Sequence, residues 1–258
     1  MNYRTNNFFR QLVSRAVRKD YLENMTGFAW LFIQPLLLLG VYTFVFTIIF
    51  KSRLPADSPV GFVPYLAVAF WPWMAFSESV IRSSNSISSN AALIGKVAIP
   101  TEVIPLSTVT AGFLMNMAGY LAVLLAVWLF GNPVHWLGLL AALPVLALMF
   151  LFACGLALFI SALQVFIRDV SKILPPLMTF WFFSTPILYS SDRLPPQIAA
   201  IMRFNPMAWY VEKLRAFLLF GDYSLGVRDL LVPALTLLVL FAGFRFFRRI
   251  SSHFEDFL

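Results

Sequence analysis

Six apolar runs, at about 28–50, 62–81, 105–130, 137–164, 173–190 and 230–247, are separated by short polar segments. A helix needs about 20 apolar residues to cross the hydrocarbon core of a bilayer, so each run is long enough, the fifth only just. Lipid offers no partner to a backbone N–H or C=O, and such runs therefore cross as helices. The chain of 258 residues is 60% hydrophobic and 12% charged, with a mean hydropathy of +0.81. No soluble domain of this size needs that much apolar surface. The expected fold class is an all-α polytopic membrane protein with six transmembrane helices.

The net charge of +7 could suggest nucleic acid. In a membrane chain, basic residues set orientation and are read loop by loop. With the N-terminus inside, the inner segments hold five basic residues before Phe28, then Arg82 and Lys96, Arg168 and Lys172, and Arg245, Arg248 and Arg249. The short outer loops hold only Lys51 and Arg53, and the loop around His135 has no Lys or Arg. Both termini are therefore expected in the cytoplasm. Segment 191–229 carries Arg193, Arg203, Lys213, Arg215 and Arg228, but on short amphipathic helices rather than a simple loop.

Residues 1–27 do not read as a signal peptide, because the first apolar run begins only at Phe28 and no small-residue cleavage site follows. Phe9, Leu12, Val13, Ala16 and Val17 recur at helical spacing, opposite Arg10, Gln11, Ser14, Arg15, Arg18 and Lys19. A basic amphipathic helix of this kind lies along a membrane surface. Asn24-Met25-Thr26 fits a glycosylation acceptor, which means nothing on the cytoplasmic side. The inner loop 82–104 is serine-rich, then apolar around 91–99, and is broken by Pro100 and Pro105. It suits a short helix at the cytoplasmic surface, with an ordinary loop as the alternative.

Late in the fifth run the chain turns at Pro186, and beyond it come two short helical patterns split by Asn205 and Pro206. The second, roughly Met207 to Phe220, puts Met207, Tyr210, Val211, Leu214 and Leu218 on one face. It is too short to span. A spanning helix followed by short half-polar helices suggests a wall and a lid.

Within the runs only Glu78 and Arg245 are ionisable, and Glu78 stands four residues before Arg82, the favourable order for an ion pair. Ion-coupled carriers need carboxylates, histidines or unwound polar backbone at mid-membrane, so proton coupling is disfavoured. Gly95-Lys96 lacks the rest of a phosphate loop, and no H-E-x-x-H, Cys-x-x-Cys or G-x-S-x-G occurs. Cys154 reads as a packed hydrophobe, His135 and His253 as isolated polar contacts, and Glu255-Asp256 as a solvated tail. No enzyme activity and no cofactor of its own are expected of this chain. The unusual feature is aromatic residues in mid-run: Phe70, Trp71, Trp73 and Phe76 beside Pro72, and Phe180 to Phe183. They are either lipid-facing or packed bulk, or the walls of a conduit. Sugar rings have apolar C–H faces that lie on aromatic rings, and conduction favours weak, repeated contacts.

Taken in order, several stretches resemble the permease subunits of ABC-2 type polysaccharide exporters. They are Thr26-Gly27-Phe28-Ala29-Trp30 leading to Gln34-Pro35, Trp71-Pro72-Trp73 with Phe76, and Leu93 to Val97 running into Pro100, Glu102 and Pro105. Arg168-Asp169, Ser184 to Tyr189, Asn205-Pro206-Met207, Glu212 to Arg215 and the terminal Phe254 to Leu258 follow. Glu23-Asn24-Met25 departs from the serine and leucine usual there. The likeness is strongest to the O-antigen type, with the capsule type second. It implies a cytoplasmic interface helix over 1–27, a transmembrane domain over 28–258, and periplasmic gate helices at about 191–222. It also implies a homodimer in the bacterial inner membrane, two copies of a separate ATPase using ATP and Mg, and an undecaprenyl-linked polysaccharide as cargo, with no nucleic acid.

The same likeness assigns Trp30, Phe70, Trp71, Trp73, Phe76, Phe180, Trp181, Phe183 and Tyr189 to the substrate channel. Arg15, Arg18, Leu93, Ile94, Lys96, Arg168 and Asp169 go to contact with the ATPase. Asn205, Pro206, Trp209, Tyr210 and Arg215 go to the periplasmic gate. Export of a small drug or lipid, or of capsule or teichoic acid, stays as the alternative.

Overall fold

A computed structural model of the chain describes residues 3–21, 27–49, 60–94, 100–190 and 194–257, and these form helices and turns with no strand. The helices are α1 Tyr3–Tyr21, α2 Gly27–Thr43, α3 Phe62–Ser84, α4 Ser86–Ser89, α5 Val103–Leu129 and α6 Trp136–Phe166. They continue as α7 Val170–Phe183, α8 Pro196–Met202, α9 Pro206–Arg215 and α10 Arg228–Ile250. A π-helical turn, Phe44–Ile49, extends α2, and another, Ala216–Phe220, extends α9 until Gly221 ends it at φ 61°. A left-handed residue at that position costs a glycine little.

Among the described residues, four stretches are long and apolar enough to cross a membrane: Phe32–Ile49, Val103–Leu129, Trp136–Phe166 and Arg228–Phe254. The expected span at 62–81 is helical and that at 173–190 is helical as far as Phe183, but both fall outside this group, for different reasons. The 23-residue helix α3 is long enough, yet its last third carries Ser77, Glu78, Ser79, Arg82, Ser83 and Ser84. It is buried along most of its length and packs against α5, α6, α7 and α9. A helix surrounded by protein has no need of a uniformly apolar surface. Within the expected span 173–190 the helix α7 ends at Phe183 after 14 residues, and the chain continues as a turn. Pro186 accounts for the stop, because the residue before a proline is pushed out of the helical region and Pro has no N–H to donate.

One end of the bundle is sealed by a second apolar cluster of Ile87, Ile104, Leu158, Ala162, Val165, Phe247 and Phe254, with Leu12 and Ile94 packed against it. This brings α1, α4 and the ends of α6 and α10 together. On α1, Phe9, Leu12, Val13, Ala16 and Val17 are half-buried while Arg10, Gln11, Ser14, Arg15 and Arg18 are exposed, matching the amphipathic expectation. In the 82–104 loop the described residues form one helical turn, α4, and a 3-10 turn, Ala91–Leu93, rather than a longer helix over the apolar part. Residues 95–99, and with them Lys96, lie outside the described residues, as do Asn24, Met25 and Thr26.

Helices α6 and α10 meet at two glycines. A Cβ added to Gly155 would lie 2.7 Å from the Leu240 backbone, and one added to Gly243 would run into the Gly155 carbonyl. Small residues let membrane helices approach backbone to backbone.

Candidate functional site

The polar architecture of the other end is built around α9. Asn205 caps this helix: its Oδ1 accepts from Met207 N at 3.0 Å, and Pro206 fills the first turn, where a missing N–H costs nothing. The same Oδ1 accepts from Trp181 Nε1 at 2.9 Å. Asn205 Nδ2 donates to Ser184 O at 2.9 Å and Thr185 Oγ1 at 3.0 Å. Asn205 thus ties the start of α9 to the end of α7 and to the turn that Pro186 creates.

Arg215, at the other end of α9, closes the unit. Only 2% exposed, it donates from Nε to Tyr65 O at 3.0 Å and from its two terminal nitrogens to Pro186 O at 2.6 Å and Ile187 O at 2.7 Å. Its guanidinium also lies 3.4 Å from the Tyr65 ring centroid, a cation–π contact. Burial lowers its pKa from the ordinary value to about 10, so the charge persists at neutral pH. On the faces between, Tyr210 shares a 2.5 Å hydrogen bond with Thr236 of α10, and Trp209 Nε1 donates to Asp229 Oδ1 at 3.0 Å. Lys213 and Asp229 pair at 2.8 Å, as do Arg228 and Glu212. The five expected gate residues therefore belong to one hydrogen-bonded unit joining α3, α7, α9 and α10. Met207, Tyr210, Val211, Leu214 and Leu218, expected on one face, are fully buried.

The aromatic residues divide into two groups. Phe70, Trp71, Trp73 and Phe76 are buried within the subunit. Trp73 meets Trp181 edge-on at 5.9 Å, and Phe76 contacts Trp181 at 5.5 Å and stacks on Phe152 at 5.7 Å. Edge-to-face and offset pairs of this kind stiffen a core. Phe180 (72%), Phe183 (59%) and Trp30 (43%) are exposed instead. The division on α7 follows helical spacing, with Leu174, Met178, Trp181 and Phe182 turned inward and Ile173, Leu177 and Phe180 outward. Tyr189 is half-buried, its hydroxyl donating to Phe183 O at 2.9 Å.

At the α1 end, Arg15, Arg18, Arg168 and Asp169 are exposed, and Asp169 pairs with Lys172 at 3.0 Å. Ile94 packs against the end cluster. Among the described residues no three His, Cys, Asp or Glu side chains gather closely enough to hold a metal ion.

The sequence reading of Glu78 and Arg82 as an ion pair matches their separation of 2.6 Å. Gln34, which carries part of the family likeness, and Asn116 are neutral amides within the apolar runs. Asn116 Nδ2 donates to Glu78 Oε2 at 3.0 Å. A neutral amide inside an apolar run was the available signal.

Residues 7–219 match the protein family described as ABC-2 type transporter. The chain is 26% identical to the O-antigen export system permease protein RfbA of Klebsiella pneumoniae, over 100% of this chain and 98% of that protein. It is 29% identical to the RfbA of Myxococcus xanthus, over 95% and 93%. It is 24% identical to the polysialic acid transport protein KpsM of Escherichia coli, over 92% and 91%.

Proposed function

The chain belongs to the ABC-2 type transporter family, and from that premise we propose that it is the membrane-spanning permease subunit of an ATP-driven exporter of lipid-linked polysaccharide, of the O-antigen kind. The observation that carries this reading is likeness over nearly the full length of two proteins named as O-antigen export permeases. The likeness to a polysialic acid transport protein favours capsule polysaccharide as the second reading.

The subunit works as a homodimer in the bacterial inner membrane, with both termini cytoplasmic and two ATPase copies bound at the α1 end. Exposed Arg15, Arg18, Arg168 and Asp169 supply polar contacts there, beside Leu93, Ile94 and Lys96 of the loop before α5. Buried α3, and α7 with the turn after it, complete six crossings. The α8–α9 unit is the periplasmic gate, held by Asn205 and Arg215. Trp30, Phe180 and Phe183 present flat apolar faces to the cargo, Tyr189 stands beside them, and Phe70, Trp71, Trp73, Phe76 and Trp181 back that wall. Such a wall guides sugar without gripping it, since conduction needs weak and repeated contacts. The work then comes from the ATPase.

Surface polysaccharide in a strain deleted for this chain tests the function. Its loss, restored by the intact gene, is expected, and normal surface glycan contradicts the reading. In the same strain, Phe180→Ala combined with Phe183→Ala is expected to lower export several-fold at unchanged membrane abundance, because both side chains are exposed. Unchanged export in that double variant removes the two rings from the path.

A further inference from the structure

A small polar cavity of about 100 Å³ opens between α2, α3 and α5, lined in part by Trp30, Gln34, Trp71, Glu78, Arg82 and Asn116. It lies between the middle of the bundle and the α1 end, since Trp30 is near the start of α2, Glu78 near the end of α3, and Asn116 halfway along α5. Gln34 is exposed, sits inside a spanning stretch, and its amide has no hydrogen-bond partner among the described residues. An unpaired amide facing hydrocarbon is costly, so this face of α2 meets something that can hydrogen-bond.

The chemistry of that ligand follows from the other walls. Glu78 and Arg82 pair at 2.6 Å and are each partly exposed, so the cavity presents charge of both signs and none in excess. An anion approaching Arg82 would meet the Glu78 carboxylate as well, and the two effects oppose each other. A neutral group that both donates and accepts meets no such penalty. Asn116 commits its Nδ2 to Glu78 Oε2 and Gly112 O, each at 3.0 Å, and offers the cavity its carbonyl oxygen. The Gln34 amide offers two donors and an acceptor. Half-exposed Trp30 adds a flat apolar face beside these groups. Donors and acceptors of no net charge next to an indole face suit the hydroxyl rim and C–H face of a sugar ring. The volume admits one edge of a ring with its hydroxyls, not a whole residue.

Resting on the polysaccharide-export reading, we infer that this notch is a loading subsite that takes the hydroxyls of a neutral sugar residue of the cargo, with Gln34 as its principal hydrogen-bonding group and Trp30 as its platform. The site is separate from the exposed rings of α7 and from the α9 gate. It would grip one residue at the near mouth, with Trp30 as the first face of the wall, before the chain reaches Phe180 and Phe183, which only guide it.

Gln34→Leu tests the site, because an unpartnered exposed amide in a spanning helix contributes nothing to the subunit's own fold, and leucine suits lipid at least as well. The deletion strain is complemented with this variant, and membrane abundance, homodimer content, ATPase co-purification and surface polysaccharide are measured. Export is expected to fall about three- to tenfold, the range of one lost hydrogen bond, with the other three unchanged. Wild-type export overturns the subsite. Loss of the homodimer assigns Gln34 to a contact with the second copy and also overturns it. Glu78→Gln in the same strain separates sugar from phosphate. Reduced export fits a neutral ligand, whereas a gain shows that removing the Glu78 charge admits an anion and contradicts the sugar assignment. If deletion of the whole chain leaves surface polysaccharide intact, the export reading itself has failed, and that is known before any variant is scored.

Discussion

Replacing Arg215 with alanine is expected to lower the melting temperature of the solubilised protein by on the order of 10 °C, from a stability loss of about 3 kcal/mol or more. Its three donated hydrogen bonds, to Tyr65 O, Pro186 O and Ile187 O, are all buried. The Pro186 and Ile187 carbonyls lie in a turn, where no helix ladder supplies a replacement donor. A buried polar group left without a partner costs about 1–3 kcal/mol. The cation–π contact with Tyr65 is lost as well. Arg215→Lys keeps the charge but not the planar fork, so it recovers only part of the loss. Thermal unfolding followed by intrinsic fluorescence or size-exclusion survival measures both variants. A melting temperature within about 2 °C of wild type in Arg215→Ala, less than 1 kcal/mol on the same scale, removes the clamp from the account of this fold.

Gly155→Leu is expected to prevent stable packing of α10 on α6 and to leave little folded subunit in the membrane. Even a methyl group at Gly155 would press on the Leu240 and Val239 backbones at 2.7–2.8 Å, and backbone cannot rotate away as a side chain can. At Gly243 the obstruction is the Gly155 carbonyl itself. Overpacking a well-packed site costs about 1–3 kcal/mol when side chains yield, and a contact between two backbones lies above that range. Gly40, whose added Cβ would meet nothing within 4 Å, serves as the control: Gly40→Ala leaves abundance unchanged. Protease resistance of the variants in native membranes reads the difference. Equal resistance in Gly155→Leu and Gly40→Ala contradicts the close crossing.

The membrane fold class could be read from the apolar runs, because lipid forces their backbones into helices. The short α9 could be read too, since Met207, Tyr210, Val211, Leu214 and Leu218 mark its buried face and Asn205-Pro206 its start. The apolar run continues through Ile187 and Leu188 beyond the end of α7, where Pro186, already legible as a turn, and the Asn205 hub bend the chain. Hydropathy responds to side chains and not to that local geometry. Trp73 and Phe76 illustrate a further limit. An aromatic residue in mid-run is compatible with a packed core or a lined path, and only the position of Trp181 and Phe152 around them reveals that they pack together. Asn116 is a neutral amide inside an apolar run, a signal that ionisable groups alone do not carry.

On the proposed reading, a spanning core with few ionisable groups, among them Glu78 paired with Arg82, guides cargo while the ATPase supplies the driving force. The most direct measurement is transport of lipid-linked polysaccharide by the purified permease–ATPase complex in proteoliposomes, with ATP and a pH gradient supplied separately. Movement that needs ATP and is indifferent to the gradient is the expected result. Movement driven by the gradient alone, abolished in Glu78→Gln and unaffected by removal of the ATPase, would contradict it.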